Sequence, residues 1–243
     1  MSTYDHVELS DEEVQQVLLA ARKAKAKKIS EQAYWDKVRK PVEYIKFTEY
    51  ELREKILNEN PDFIIDENNS EIFNMLCAYF SGDVTYETFF GGSLKKGIML
   101  FGPVGCGKTF LMRMFSKNSF RPFVVNPVRK ISDEYAGNGN AALYKFSSPA
   151  EVYAHENFGH ASAGRCFDDV GTEEIKKNFG NEVNVIQDVL YKIYDNQLIG
   201  DFHVTTNLDG EGIQAAYGER IRSRMREMFN VIRFDKQSPD RRL

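Results

Sequence analysis

Eight consecutive residues, Gly102-Pro103-Val104-Gly105-Cys106-Gly107-Lys108-Thr109, follow the spacing G-x-x-x-x-G-K-[ST]. Glycines so placed let successive main-chain N–H groups turn inward around a phosphate, and a helix starting at the end of the run aims the positive end of its dipole at the same point. Lys108 adds a positive charge for β- and γ-phosphates, and the Thr109 hydroxyl is a ligand for the Mg²⁺ that travels with them. Phe110 completes the set expected to touch the nucleotide. A glycine-rich turn without a ligand can use the same letters. Here the run directly follows the apolar segment Ile98-Met99-Leu100-Phe101 and directly precedes a helix carrying Phe110, Leu111 and Met114, which is the context a phosphate loop requires. ATP with Mg²⁺ is the expected ligand.

About 60 residues downstream, Arg165-Cys166-Phe167-Asp168-Asp169-Val170 ends an apolar run in two carboxylates. Asp168 is placed to hold Mg²⁺ through water and Asp169 to orient an attacking water. Standing alone, the pair reads equally well as an Asx-turn before Gly171. Thr205-Thr206-Asn207 closes a later run, and an asparagine there either reaches the γ-phosphate or caps the next helix. Arg220, Arg222, Arg224 and Arg226 have the spacing of a solvated helical face.

The elements that must position these groups alternate. Short apolar runs at Ile98 to Phe101, Pro122 to Val125, Arg165 to Phe167, Phe202 to Thr205 and Val231 to Phe234 read as buried strands, and the clearest helix between them spans Val183 to Asn196. This predicts an α/β three-layer sandwich with a five-stranded parallel sheet. The strand at Pro122 to Val125 falls in the chain between the phosphate loop and the carboxylate pair, as in the additional-strand P-loop ATPases. The first 80 or so residues read as helical: a capping box at Ser10 to Glu13, another at Thr48 to Glu51, and a third helix through Ile72, Phe73, Leu76, Tyr79 and Phe80 that ends at Ser81-Gly82. The division expected is 1–60, a helical partner-binding segment, and 61–243, the ATPase domain.

The chain has 243 residues, 42% hydrophobic and 28% charged, enough for one core and ordinary for a globular protein. A net charge of −4 argues against nucleic-acid binding through global charge. The polar start, the lack of a long apolar run and three scattered cysteines lead to the expectation of a cytoplasmic protein with no membrane partner. His6, His155, His160 and His203 lack metal-ligand spacing, and His203 reads as structural. The lysine-rich first helix reads as a solvated face, with Tyr34, Trp35 and Val38 as anchors for a protein partner. Between Val128 and Gly164, the residues Arg129, Lys130, Tyr144 and Lys145 suit DNA contact, and a plain surface suits them as well.

Gly102 to Thr109, Phe167 to Gly171, Thr205 to Asn207 and Tyr217-Gly-Glu-Arg-Ile-Arg-Ser-Arg-Met-Arg-Glu227 resemble, in order and spacing, the AAA+ ATPases of the DnaC and IstB group. These are bacterial helicase loaders and transposition helper ATPases, and the resemblance runs from about Asp66 to Arg242. It implies a Mg²⁺-dependent ATPase, bacterial or phage-encoded, that forms a homo-oligomer with ATP at the subunit interfaces. The implied partners are DNA, single-stranded for a loader, and a replicative helicase; the helper alternative pairs duplex DNA with a transposase. It makes Asn207 the sensor-1 residue and Arg224 the arginine finger, with Arg220 the second choice. Two departures stand out. Asp169 occupies a position where Glu is commoner, which keeps open a nucleotide-gated scaffold with little hydrolysis. The few residues after the fifth strand leave no room for a helical lid, and Arg241 either reaches the nucleotide from the tail or belongs to a frayed terminus. A small-molecule kinase, another P-loop class, would need an acceptor pocket and a mobile lid that the sequence does not show.

Overall fold

The computed structural model describes residues 10–38, 45–173, 176–178 and 181–242. The chain divides into two compact units, Met1–Val42 and Glu43–Leu243. In the first lies helix α1, Asp11–Val38. Its capping box is made: Glu13 accepts from the Ser10 N–H and hydroxyl at 2.8 and 2.7 Å. Its described side chains are exposed, Leu18, Leu19 and Trp35 among them.

The second unit opens with α2, Glu49–Glu59, capped by Thr48 and Glu51, and α3, Ser70–Ser81, ended by Gly82 in the left-handed region. The short α4, Thr85–Thr88, leads into β1, Gly97–Phe101, and α5, Lys108–Phe115. There follow β2, Phe123–Pro127; α6, Val128–Asn138; α7, Asn140–Phe146; β3, Ala150–Glu151; and β4, Ser162–Val170. Last come a hairpin of β5, Lys176–Asn178, and β6, Asn181–Val183; then α8, Val185–Asp195; β7, Phe202–Thr206; α9, Gly210–Met228; and β8, Phe229–Arg233.

The five expected strands form one parallel sheet in the order β2-β4-β7-β1-β8, with the short β3 antiparallel on β4. Side chains alternate across it. Ile98 and Leu100 join a core with Phe73, Phe80 and Phe115 from α3 and α5, whereas Met99 joins Val189, Ile193 and Met225 from α8 and α9 on the opposite face. Burial on both faces is what makes the strands read as continuous apolar runs. Each large side chain removed from water there contributes about 1.5–3 kcal/mol. His203 of β7 is wholly buried among Tyr79, Phe80 and Phe123, and its Nδ1 accepts the Ile98 N–H at 3.0 Å.

The compact units divide ahead of α2, whose Leu52 and Ile56 are buried in the same core as Phe73 and Leu76 of α3. The β3 pairing and the β5–β6 hairpin were not expected: strands of two or three polar residues carry no period to read.

Candidate functional site

At the C-terminal end of β1 the chain turns through the phosphate loop into α5. Gly105 and Gly107 take φ of 80° and 104°, which a side-chain-bearing residue rarely adopts. Lys108 is 5% exposed. Its Nζ donates to the carbonyls of Gly102 and Pro103 at 2.9 and 2.7 Å and to Asn207 Oδ1 at 2.6 Å. Three oxygens from β1's end and β7's end thus hold the ammonium at the base of the loop. Cys106 packs beneath it, and burial raises its thiol pKa.

The next residue reaches the carboxylate strand. The Thr109 hydroxyl donates to Asp168 Oδ1 at 2.7 Å, and the Thr205 hydroxyl donates to the same oxygen at 2.7 Å. Thr205 Oγ1 in turn accepts the Asp169 N–H at 2.9 Å. Pairing between β4 and β7 slips here: Phe167 faces Val204 and Val170 faces Thr206, so Asp168 and Asp169 together stand opposite one residue. This is a β-bulge, and Asp169 sits in it at φ 62°. The bulge re-aims two successive carboxylates that an unbroken strand would send to opposite faces.

Lys108, Thr109, Asp168, Asp169 and Asn207 line one cleft of ≈ 890 Å³, together with Val104, Gly105, Gly107 and Phe110, while Thr205 lies buried behind them. Gly102 and Pro103 do not line it; they bound a smaller hollow on the other side of the loop and serve the cleft through their carbonyls. Sequence reasoning missed the far wall, made by Asp62, Phe63, Ile64 and Asn69 ahead of α3. Phe63 lies 5.9 Å from Phe110 and 5.3 Å from Phe73. The available signal was the apolar trio Phe63-Ile64-Ile65 stranded in a loop between Pro61 and Asp66. In the sequence Thr205 reads only as a strand end; its hydroxyl links Asp168 and Asp169, a contact across two strands that leaves no local pattern.

The tail is the second surprise. Asp240 and Arg241 lie against the loop at Gly105 and Gly107. The Arg241 N–H donates to the Gly105 carbonyl at 3.0 Å, and the Arg241 guanidinium grips Asp66 through 2.6 and 2.9 Å contacts. Arg241 and Arg242 line the cleft. Burial works against charge on Asp66, but hydrogen bonds from Arg241 and from the Asn68 and Asn69 region lower its pKa overall.

Arg224 is not brought to its own chain's cleft. Its guanidinium lies 4.7 and 4.4 Å from the ring centres of Tyr191 and Tyr194 on α8 and 3.4 Å from Asp195. Arg220 is exposed, and Arg222 bonds Gln214.

In the sheet order, β7 separates the loop strand β1 from the carboxylate strand β4, and Asn207 stands at its tip between Lys108 and Asp168. The fold is a parallel α/β sandwich with a phosphate loop at the C-terminal end of β1. No protein-family model matches the sequence. An ATP-dependent zinc metalloprotease YME1 homolog of Schizosaccharomyces pombe is 30% identical over 90 residues, which are 37% of this chain and 12% of that protein. Among solved structures, AMPPCP-bound DnaA from Aquifex aeolicus aligns at TM-score 0.49 and 15% identity, covering 74% of this chain and 51% of that one. The DnaC helicase loader aligns at 0.49 and 14%, covering 75% of this chain and 99% of that one. Domain III of the Thermotoga maritima replication initiation protein DnaA aligns at 0.46 and 14%, covering 72% and 65%. Among the described residues no helix is long and apolar enough to cross a membrane, and no cluster of three His, Cys, Asp or Glu could hold a metal by itself.

Proposed function

We propose that this chain is an ATP-binding and ATP-hydrolysing assembly factor that acts as a DnaC-like helicase loader, oligomerising on single-stranded DNA. One observation carries the nucleotide reading: Lys108 Nζ, Asn207 Oδ1, Thr109 Oγ1 and Asp168 Oδ1 meet at the mouth of a single glycine loop, with contacts of 2.6 and 2.7 Å. The donor set fits magnesium, because a hydroxyl and a carboxylate oxygen are hard ligands and leave its remaining positions to water and phosphate. Thr109 and Asp168 would hold Mg²⁺, whose charge neutralises the phosphate oxygens.

The chain's own residues do the rest. Loop N–H groups and the α5 terminus bind the phosphates. Lys108 exchanges carbonyl contacts for phosphate oxygens, while Asn207 keeps its ammonium centred. Asp169 accepts a proton from water or orients it, and Phe63, Ile64 and Phe110 offer an apolar seat for the base. Arg224 would serve the neighbouring subunit's γ-phosphate, where a guanidinium stabilises charge as it develops. For DNA, α7 offers Tyr144, 64% exposed, with the Lys192 ammonium 4.5 Å from its ring centre, and α6 exposes Arg129 and Lys130. Within the segment 1–60, the first compact unit, Met1–Val42, would engage the helicase.

The test combines calorimetry with phosphate release. ATP should bind wild type tightly, Lys108→Ala should weaken it at least 100-fold, and single-stranded DNA should speed Mg²⁺-dependent release. Unchanged affinity in Lys108→Ala would remove the loop from the reading. A second reading, a nucleotide-gated scaffold, draws on the short reach of the Asp169 carboxylate from its bulge; ATP-dependent assembly with negligible turnover on DNA would select it.

A further inference from the structure

Beyond the site itself, one junction ties the carboxylate turn to the arginine-bearing helix. Glu173 follows Asp169 by four residues and reaches in two directions. One carboxylate oxygen accepts the Gly171 N–H at 2.8 Å, and the other accepts a short hydrogen bond from the Tyr217 hydroxyl. The turn is fastened elsewhere as well. The Thr172 N–H and hydroxyl both donate to the Asp169 carbonyl at 3.1 and 2.8 Å, and the Thr206 hydroxyl donates to the Val170 carbonyl at 2.7 Å. A movement at Asp169 therefore reaches Glu173 through rigid, hydrogen-bonded backbone.

Tyr217 is 2% exposed and ends the first half of α9. Its carbonyl accepts Gln187 Nε2 of α8 at 2.7 Å. Gly218, at φ 84° and ψ 165°, then breaks the helix, and the four arginines follow the break. A helix rises about 1.5 Å per residue, so Arg224 sits on an arm about 10 Å long that starts at this break. Sharp breaks at glycine are where helices absorb rotation. The arm's far side rests on Tyr191 and Tyr194, and Tyr194 also donates to Glu227 at 2.8 Å.

We propose that Glu173 and Tyr217 are positioning residues: their hydrogen bond sets the arginine-bearing half of α9 against the Asp169 turn, so that the occupant of one phosphate site governs the arginine the same subunit presents to its neighbour. This rests on the reading of Arg224 as acting in trans. Neither residue touches the reacting atoms; each acts through a group that does.

The experiment mixes full-length chains. Arg224→Ala supplies an intact carboxylate pair and Asp169→Ala supplies an intact arginine, and their mixture should recover ATPase activity. Tyr217→Phe is then placed on either partner. On the Asp169→Ala chain, whose arginine is in use, it should cut the recovered kcat about tenfold with KM unchanged. On the Arg224→Ala chain, whose arginine is already gone, it should leave recovery within twofold. Glu173→Gln should reproduce the asymmetry, since an amide weakens the same contact, and melting temperatures show that each chain is folded. Equal effects on both chains, or none on either, would overturn the proposal. No recovery in the parent mixture would overturn the trans geometry and the proposal together, and the parent mixture separates the two failures.

Discussion

At the residue scale, small substitutions separate the roles. Gly105→Ala places a methyl group about 2.0 Å from the Asp240 carboxylate, in a backbone at φ +80°. It should displace the tail and weaken ATP binding about tenfold, read by calorimetry and by faster proteolysis after residue 235. His203 gives the pH dependence. Burial drops its pKa from the ordinary 6.5 to about 3. As pH falls through 6.5 the unfolded chain takes up a proton that the folded chain refuses until about pH 3. The unfolded state is favoured across that window, so stability present above 6.5 is lost going down, at about 1.4 kcal/mol per pH unit. Urea denaturation between pH 7 and 5 should show this slope, and His203→Phe should flatten it; an unchanged slope would put the acid sensitivity elsewhere.

At the scale of elements, the phosphate loop and the carboxylate strand were legible because each pairs a dense apolar run with residues few other contexts need. The wall before α3 and the docked tail were not legible, since Phe63, Ile64 and Arg241 gain their places from contacts about 40 to 175 residues away in sequence. Helix α2 shows the same limit. Its own pattern is weakly amphipathic, and tertiary packing of Leu52 and Ile56, both nearly inaccessible, joins it to the core. Leu52→Ala should cost about 2–5 kcal/mol in denaturation, whereas Leu18→Ala on exposed α1 should stay within about 0.5 kcal/mol. The spacing of Arg224 reads as a solvated face and only the family likeness singles it out; its tyrosine shelf on α8 belongs to a different element and leaves no mark near it.

At the scale of the molecule, the two compact units predict that residues 43–243 fold alone. This fragment should bind ATP as the full chain does and melt at the same temperature, while losing helicase recruitment. Loss of both binding and a cooperative melt would show that the first unit is needed for folding. A pull-down with the full chain as bait and the 43–243 fragment as control separates the loader from the transposition helper: a helicase in the eluate of the full chain alone selects the loader, a transposase the helper. The sequence disclosed the sheet and its five strands, because burial on both faces turns each strand into a continuous apolar run.

The irregular step in the β4–β7 ladder also bears on why the second acid is short. At φ 62° the main chain at position 169 sits where aspartate and asparagine are tolerated far better than longer acids, their compact side chains bonding locally. Lengthening it to glutamate would gain about one methylene of reach at a backbone cost of about 1 kcal/mol. Under the proposed reading, the reach of this carboxylate toward water would be set by the backbone at a single residue, and Asp169→Glu would carry that cost unless the bulge straightened.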